Sequence, residues 1–283
     1  MSKYDPLIDK KVYELARDYL PSLKIDGVTP ALIEQYLDPI LERPKPETLA
    51  GLYLRMLESI QNANMKSGVI GKAIGGVDKL SCILEAFDPK KVIKKYGDDS
   101  EALLEEIVKK VKPAGKIRKC LKGIWPQYCK AILSAAVFLE QFETAEAFYQ
   151  FAGSFNRDDR ARASLPMLLD KEVHGMGFAL ACDFLKELGY VEFPKPDVHL
   201  IQIFKKLDLC PAEADPYQVF KAIVRVARHS GVTPYNADKV FWLIGSGRFY
   251  NHPEIGEKGK IGSRKDDFIK YAKKELKRLD LVK

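Results

Sequence analysis

Apolar residues return at every third or fourth position along almost the whole chain, and this period limits its fold more than any other feature. Leu49, Leu52, Tyr53, Met56, Leu57 and Ile60 form one such stripe. Leu103, Leu104, Ile107, Val108 and Val111 form a second, with Ser100 read as its N-cap and Pro113 as its stop. Tyr217, Phe220, Val224 and Ala227 make a third, begun by Asp215 and by Pro216 at the first helical position. Thr233-Pro234 repeats that start signal before Val240, Phe241, Leu243 and Ile244. The period-two alternation of a half-buried strand is missing, so the chain reads as all-α.

A chain of 283 residues holds material for about two domains. With 46% hydrophobic and 30% charged residues, it is neither disordered, collagen-like nor a disulfide scaffold. Three segments read as connections: 42–47 with two prolines, the charged stretch 154–163, and 256–262, rich in Gly and Lys. The five cysteines are widely spaced, with no C-x-x-C pair and no histidine at zinc-ligand spacing, which predicts reduced thiols and no metal. Residues 1–6 lack the apolar stretch of an export signal. The run Ala131 to Leu139 is far shorter than the ~20 residues of a bilayer span. A soluble, cytoplasmic protein is the expectation, with no membrane partner. The net charge of +7 permits nucleic acid, anionic lipid or acidic metabolites as partners and selects none of them.

The most informative window is 165–207. Leu165, Leu168 and Leu169 give a short helical stripe, Val173-His174-Gly175-Met176-Gly177 interrupts it, and Leu180, Ala181, Phe184, Leu185 and Leu188 resume a helix that Gly189 ends. Two glycines one residue apart allow positive φ and remove Cβ atoms, so the amides of Gly175, Gly177 and Phe178 can face a phosphate oxygen at the second helix's N-terminus. Met176 between them is free to turn inward, and small Ala181 lets the helices approach. After a proline-rich link, Asp197 caps a helix whose buried stripe is Leu200, Ile203, Phe204 and Leu207. Backbone amides and the helix dipole there favour an ionised carboxylate.

This order of residues resembles the helix-hairpin-helix DNA glycosylase superfamily, which includes endonuclease III, adenine glycosylases and 8-oxoguanine glycosylases. Gly175, Gly177 and Ala181 match the hairpin, Asp197 the catalytic acid, and His199 the histidine that usually follows it. Upstream, Gln61, Asn62 and Asn64 resemble the polar end of an early helix that meets the minor groove, and Lys130-Ala131 the start of a later one. Phe241 to Gly245 is similar to the closing helix. The likeness spans roughly residues 50 to 250 and is specific only between 165 and 207.

The resemblance implies two helical lobes, with the hairpin bordering the cleft between them: N-terminal helices over 1–51 packing with a C-terminal lobe over 166–283, and a central helical barrel over 52–165. It implies DNA carrying an altered base as partner, nucleoid association in a prokaryote, and no redox cofactor. Bifunctional members carry a lysine nucleophile four residues after the first hairpin glycine; here that position is Ala179, whose methyl group forms no Schiff base. The implied activity is therefore monofunctional base excision. A non-catalytic helix-hairpin-helix DNA-binding protein, and a lyase using another lysine, remain the alternatives. Lys258 and Lys260 lie in a glycine-punctuated basic loop that reads equally as a tracker of phosphates and as a solvated loop. Gln61, Asn62 and Asn64 read equally as a fraying helix end and as a wedge into DNA. His199, in the first turn of its helix, suits a structural hydrogen bond better than proton transfer.

Overall fold

The computed structural model describes residues 4–38, 44–62, 68–118, 120–249 and 255–282. In chain order the α-helices are α1 (Pro6–Ser22), α2 (Pro30–Leu37), α3 (Leu49–Ile60), α4 (Val69–Ile74), α5 (Pro89–Tyr96), α6 (Ser100–Lys110) and α7 (Ile124–Leu139). They continue with α8 (Ala145–Asn156), α9 (Ser164–Glu172), α10 (Phe178–Glu187), α11 (Val198–Lys206), α12 (Pro216–Ser230), α13 (Pro234–Ser246) and α14 (Lys265–Arg278). Among the described residues there is no strand, only one isolated bridge between Arg248 and Lys260, so the protein is all-α. No helix among them is long and apolar enough to cross a membrane.

Capping chemistry sets the helix starts. Asp5, Thr29, Asp88, Asp215 and Thr233 each precede a proline and accept a backbone N–H of the first turn, leaving no donor wasted at the proline. At α12 the cap is reciprocal, since the Gln218 side chain also returns to the Asp215 amide at 3.0 Å. The expected start of α6 is corrected by one residue. Asp99 is the cap, its Oδ1 accepting from Glu101 and Ala102 at 3.1 and 2.8 Å, and Ser100 lies inside the helix. A carboxylate is the stronger acceptor of two adjacent amides. Two expected connections also contain helix: α8 runs on to Asn156, and Gly256–Gly259 is a 3-10 turn.

The chain forms two compact units, Met1–Glu42 with Gly189–Lys283 and Arg43–Leu188. Both hairpin helices, α9 and α10, therefore belong to the central unit, where the sequence reading drew its line at 165. In that unit α7 is the axis: α3, α5, α6 and α9 pack on it, burying Ile132, Ala135, Ala136 and Leu139 completely. Glu85, Ala86 and Phe87 are three successive non-glycine residues at φ 50°, 55° and 62°. Each costs about 1–2 kcal/mol. The turn is held by Lys95, whose Nζ donates to Ile83 O and Glu85 at 3.1 and 2.9 Å, and by Phe87 packed edge-on against Tyr53.

In the terminal unit α1 packs along α12, α13 and α14, and the core is built around Phe204, Phe241 and Phe268. Asp9 of α1 is 1% exposed. Arg225 grips it with two hydrogen bonds of 2.7 and 3.0 Å, and His229 Nδ1 approaches at 2.7 Å. The same guanidinium donates to Leu209 O and stacks on the Tyr4 ring. Each charged group in this cluster has partners, the condition under which buried charge is tolerated.

Candidate functional site

The hairpin is the first component. The Val173 amide closes α9 on Leu169 O, and the His174 amide donates to Ser134 Oγ of α7 at 2.9 Å. Gln127, also on α7, donates from its amide nitrogen to Leu121 O, so its Oε1 faces His174 Nε2 at 2.7 Å and the imidazole is the donor. Two side chains of one helix thus pin the turn from the same side. Met176 is fully buried and its amide bonds to Val173 O at 3.1 Å, while Gly175 and Gly177 on either side are exposed. Ala181 is buried where α10 packs on α9.

The two glycines do different things. Gly175 has φ 78°, a conformation that L side chains resist. Gly177 has φ −34° and ψ 157°, and a Cβ added there would meet only Asp170 Oδ1 at 3.9 Å, so the expected positive φ is corrected at this position. Extended backbone ahead of α10 is what aims the amide there. No described residue accepts from the amide of Gly175 or of Gly177, and both stand in solvent beside the positive end of α10. Phe178 opens α10 and is half-buried. Ala179 offers no nucleophile, and nearby Lys186 is ion-paired with Asp183 at 3.5 Å.

The second component lies in the terminal unit. Asp197 caps α11 as the sequence predicts, its Oδ1 accepting from His199 N at 2.8 Å and Leu200 N at 3.1 Å. Its Oδ2 accepts from no described residue. The carboxyl is half-buried, flanked by buried Phe193, Pro194 and Pro196. Burial pushes its pKa above the ordinary carboxylate value, the cap amides oppose that without prevailing, and the nearby Asp238 carboxylate adds to the rise.

His199 packs so tightly on α13 that a Cβ at Gly245 would fall 2.5 Å from the histidine Cβ. Its Nδ1 is buried without a hydrogen-bond partner among the described residues. Burial pushes its pKa down; Asp197 opposes this, while Lys265 and Arg248 push the same way. Asp238, on α13, is 2% exposed and accepts the Lys195 amide at 2.8 Å. Sequence reading missed Asp238 and Arg248, and took Gly245 only as part of the closing helix. One acid amid the apolar residues of a helix looks like a surface position, and only the packing of α13 against the 194–197 turn reveals otherwise.

The remaining predicted contacts are engaged locally. Gln61 Oε1 accepts from Gly71 N and Asn62 Oδ1 from Gly68 N, both at 2.9 Å, so the two side chains tie the end of α3 to the start of α4. Asn64 lies outside the described residues. Lys258 pairs with Asp26 at 2.7 Å and Lys260 with Glu257 at 2.5 Å, exposed pairs that solvent screens. Such pairs exchange readily for other anions. Comparison with protein-family models, with curated proteins and with solved structures yields no match.

Proposed function

We propose that the protein is a monofunctional DNA glycosylase-like enzyme of the helix-hairpin-helix type that excises an altered base from duplex DNA. The observation that carries this reading is the 173–177 turn. Its buried methionine stands between two exposed glycines whose amides have no partner among the described residues, and Asp197 follows at the spacing the family resemblance requires. Open amides at a helix N-terminus suit phosphate oxygens, and the turn is fixed before any ligand arrives. Further support comes from Asp197, one oxygen of which accepts from no donor among the described residues, and from Lys265 and Arg248, which place positive charge around the adjacent His199.

In this mechanism the target nucleotide is rotated out of the stack at a cost of a few kcal/mol. The bond between C1′ and the base nitrogen then breaks, its electron pair leaving with the base. The Asp197 carboxylate stabilises the cationic sugar and accepts a proton from the water that adds to C1′. One water is consumed, the proton taken up by Asp197 ends on the departed base, and the products are the free base and an abasic site. No step uses a lysine, in keeping with Ala179.

The test is a panel of duplexes, each with one altered base, treated with alkali after incubation. An alkali-labile site made by the wild type and not by Asp197→Asn supports the reading. Equal duplex affinity with no labile site from either protein supports a binding protein without chemistry. A covalent adduct trapped by borohydride on abasic DNA identifies a lyase instead.

A further inference from the structure

The mechanism above leaves unused a buried acid next to its central carboxylate. Asp238, in the second turn of α13, is almost fully buried, yet it is not part of the helix's own capping. Its Oδ2 accepts the Lys195 amide at 2.8 Å, and the Lys195 carbonyl in turn accepts the Asp197 amide at 2.8 Å. One residue thus has its N–H held by Asp238 and its C=O held by Asp197. The start of α13 is tied to the same segment, since the Tyr235 amide donates to Val191 O at 2.9 Å. Pro194 and Pro196 have no amide to offer, so Lys195 supplies the donor through which an acid on α13 can grip this turn.

We propose that Asp238 is a positioning residue that holds the Lys195–Asp197 turn and places a second negative charge beside Asp197. A negative charge close to a carboxyl strengthens that carboxyl's hold on a proton. A carboxyl that binds protons more tightly is a better acceptor for the proton of an attacking water, and a second negative charge also favours the cationic sugar. The raised pKa of Asp197, which burial causes and Asp238 reinforces, agrees with this. Among the described residues Asp238 from α13 and His199 from α11 act on the Asp197 carboxyl, and around His199 stand Lys265 from α14 and Arg248 beyond α13.

The catalytic side of the inference rests on the glycosylase reading; the coupling of the two acids does not. It is tested in the full chain without any ligand, by a carbon-13 NMR titration of aspartate carboxyls, with Asp197 identified by its absence in Asp197→Asn. In the wild type the Asp197 midpoint should lie above the ordinary carboxylate range. In Asp238→Asn it should move to lower pH, whereas Asp266→Asn, at an exposed pair with Lys206, should leave it in place. A wild-type midpoint within the ordinary range, or no movement in Asp238→Asn, overturns the proposal, and the wild-type reading stands even if the variant does not fold.

On a duplex shown to lose its base, the acid limb of the kcat/KM profile should move with the NMR midpoint in Asp238→Asn. Asp238→Ala, which loses the anchor as well, should lower kcat by roughly 10²-fold with little change in KM. If no duplex in the panel loses a base, the glycosylase reading fails, while the titration still decides whether the two acids are coupled.

Discussion

The terminal unit contains two acid–histidine clusters, and they are built on opposite plans. At Asp9 the buried carboxylate meets a bidentate arginine and a histidine, so opposite charges and hydrogen bonds balance its burial. At Asp197 the neighbouring charge is another acid, one carboxylate oxygen has no described partner, and the nearby His199 leaves Nδ1 unsatisfied. A closed network stabilises the fold. An open one has bonding capacity to spare, which is the condition for meeting a ligand.

The sharpest way to break this contrast is at Asp9. Asp9→Ala strands the Arg225 charge and should cost about 3–5 kcal/mol in denaturant unfolding. Whatever protein remains folded should retain its activity per molecule. Asp197→Asn should behave in the opposite way. Asparagine is as good an N-cap as aspartate, so stability should change by less than ~1 kcal/mol, while base release falls by at least roughly 10²–10³-fold. If Asp197→Asn unfolds the protein and retains its turnover, the two clusters have been assigned the wrong way round.

Much of this was legible in the sequence, for reasons that differ from site to site. The starts of α12 and α13 could be read because Asp215-Pro216 and Thr233-Pro234 act within one turn, and the α3 stripe because every member is four residues or fewer from the next. The Asp197 cap was legible for the same local reason. Its elevated pKa was not, because it arises first from burial in the folded packing and then from Asp238, which lies 41 positions away and approaches only when α13 packs. Asp9 and Arg225 are separated by 216 residues, so nothing local announces their pairing. The left-handed turn at Glu85-Ala86-Phe87 has no glycine to signal it; Lys95 and Tyr96 of a later helix hold it, both donating to the Ile83 carbonyl just before it while Lys95 also pairs with the Glu85 carboxylate.

A smaller effect separates the two hairpin glycines. Gly175→Ala forces a methyl group into a left-handed residue and should cost about 1–2 kcal/mol while weakening duplex binding. Gly177→Ala, with φ −34° and open space, should shift stability by less than ~0.5 kcal/mol. Equal losses at both positions would mean that both glycines are required for their conformation.

The central unit has its own acid network, closed like that of Asp9. Burial alone would raise the Glu106 pKa, but hydrogen bonds from Lys110, Tyr96 and Lys95 bring it down to about 2 from 4.5. An acid with a lowered folded-state pKa contributes stability above its unfolded value and loses that contribution as pH falls. Unfolding free energy should therefore decline between pH 4.5 and about 2, and Glu106→Gln should flatten that slope. A slope unchanged by the substitution would place the acid sensitivity elsewhere.

The most direct test of the account is a single-turnover measurement of free base released from a duplex carrying one altered base, with duplex affinity determined on the same preparations. The account predicts release by the wild type, none by Asp197→Asn, and the same affinity for both. Release that persists when Asp197 is replaced, or no release from any altered duplex, would contradict it.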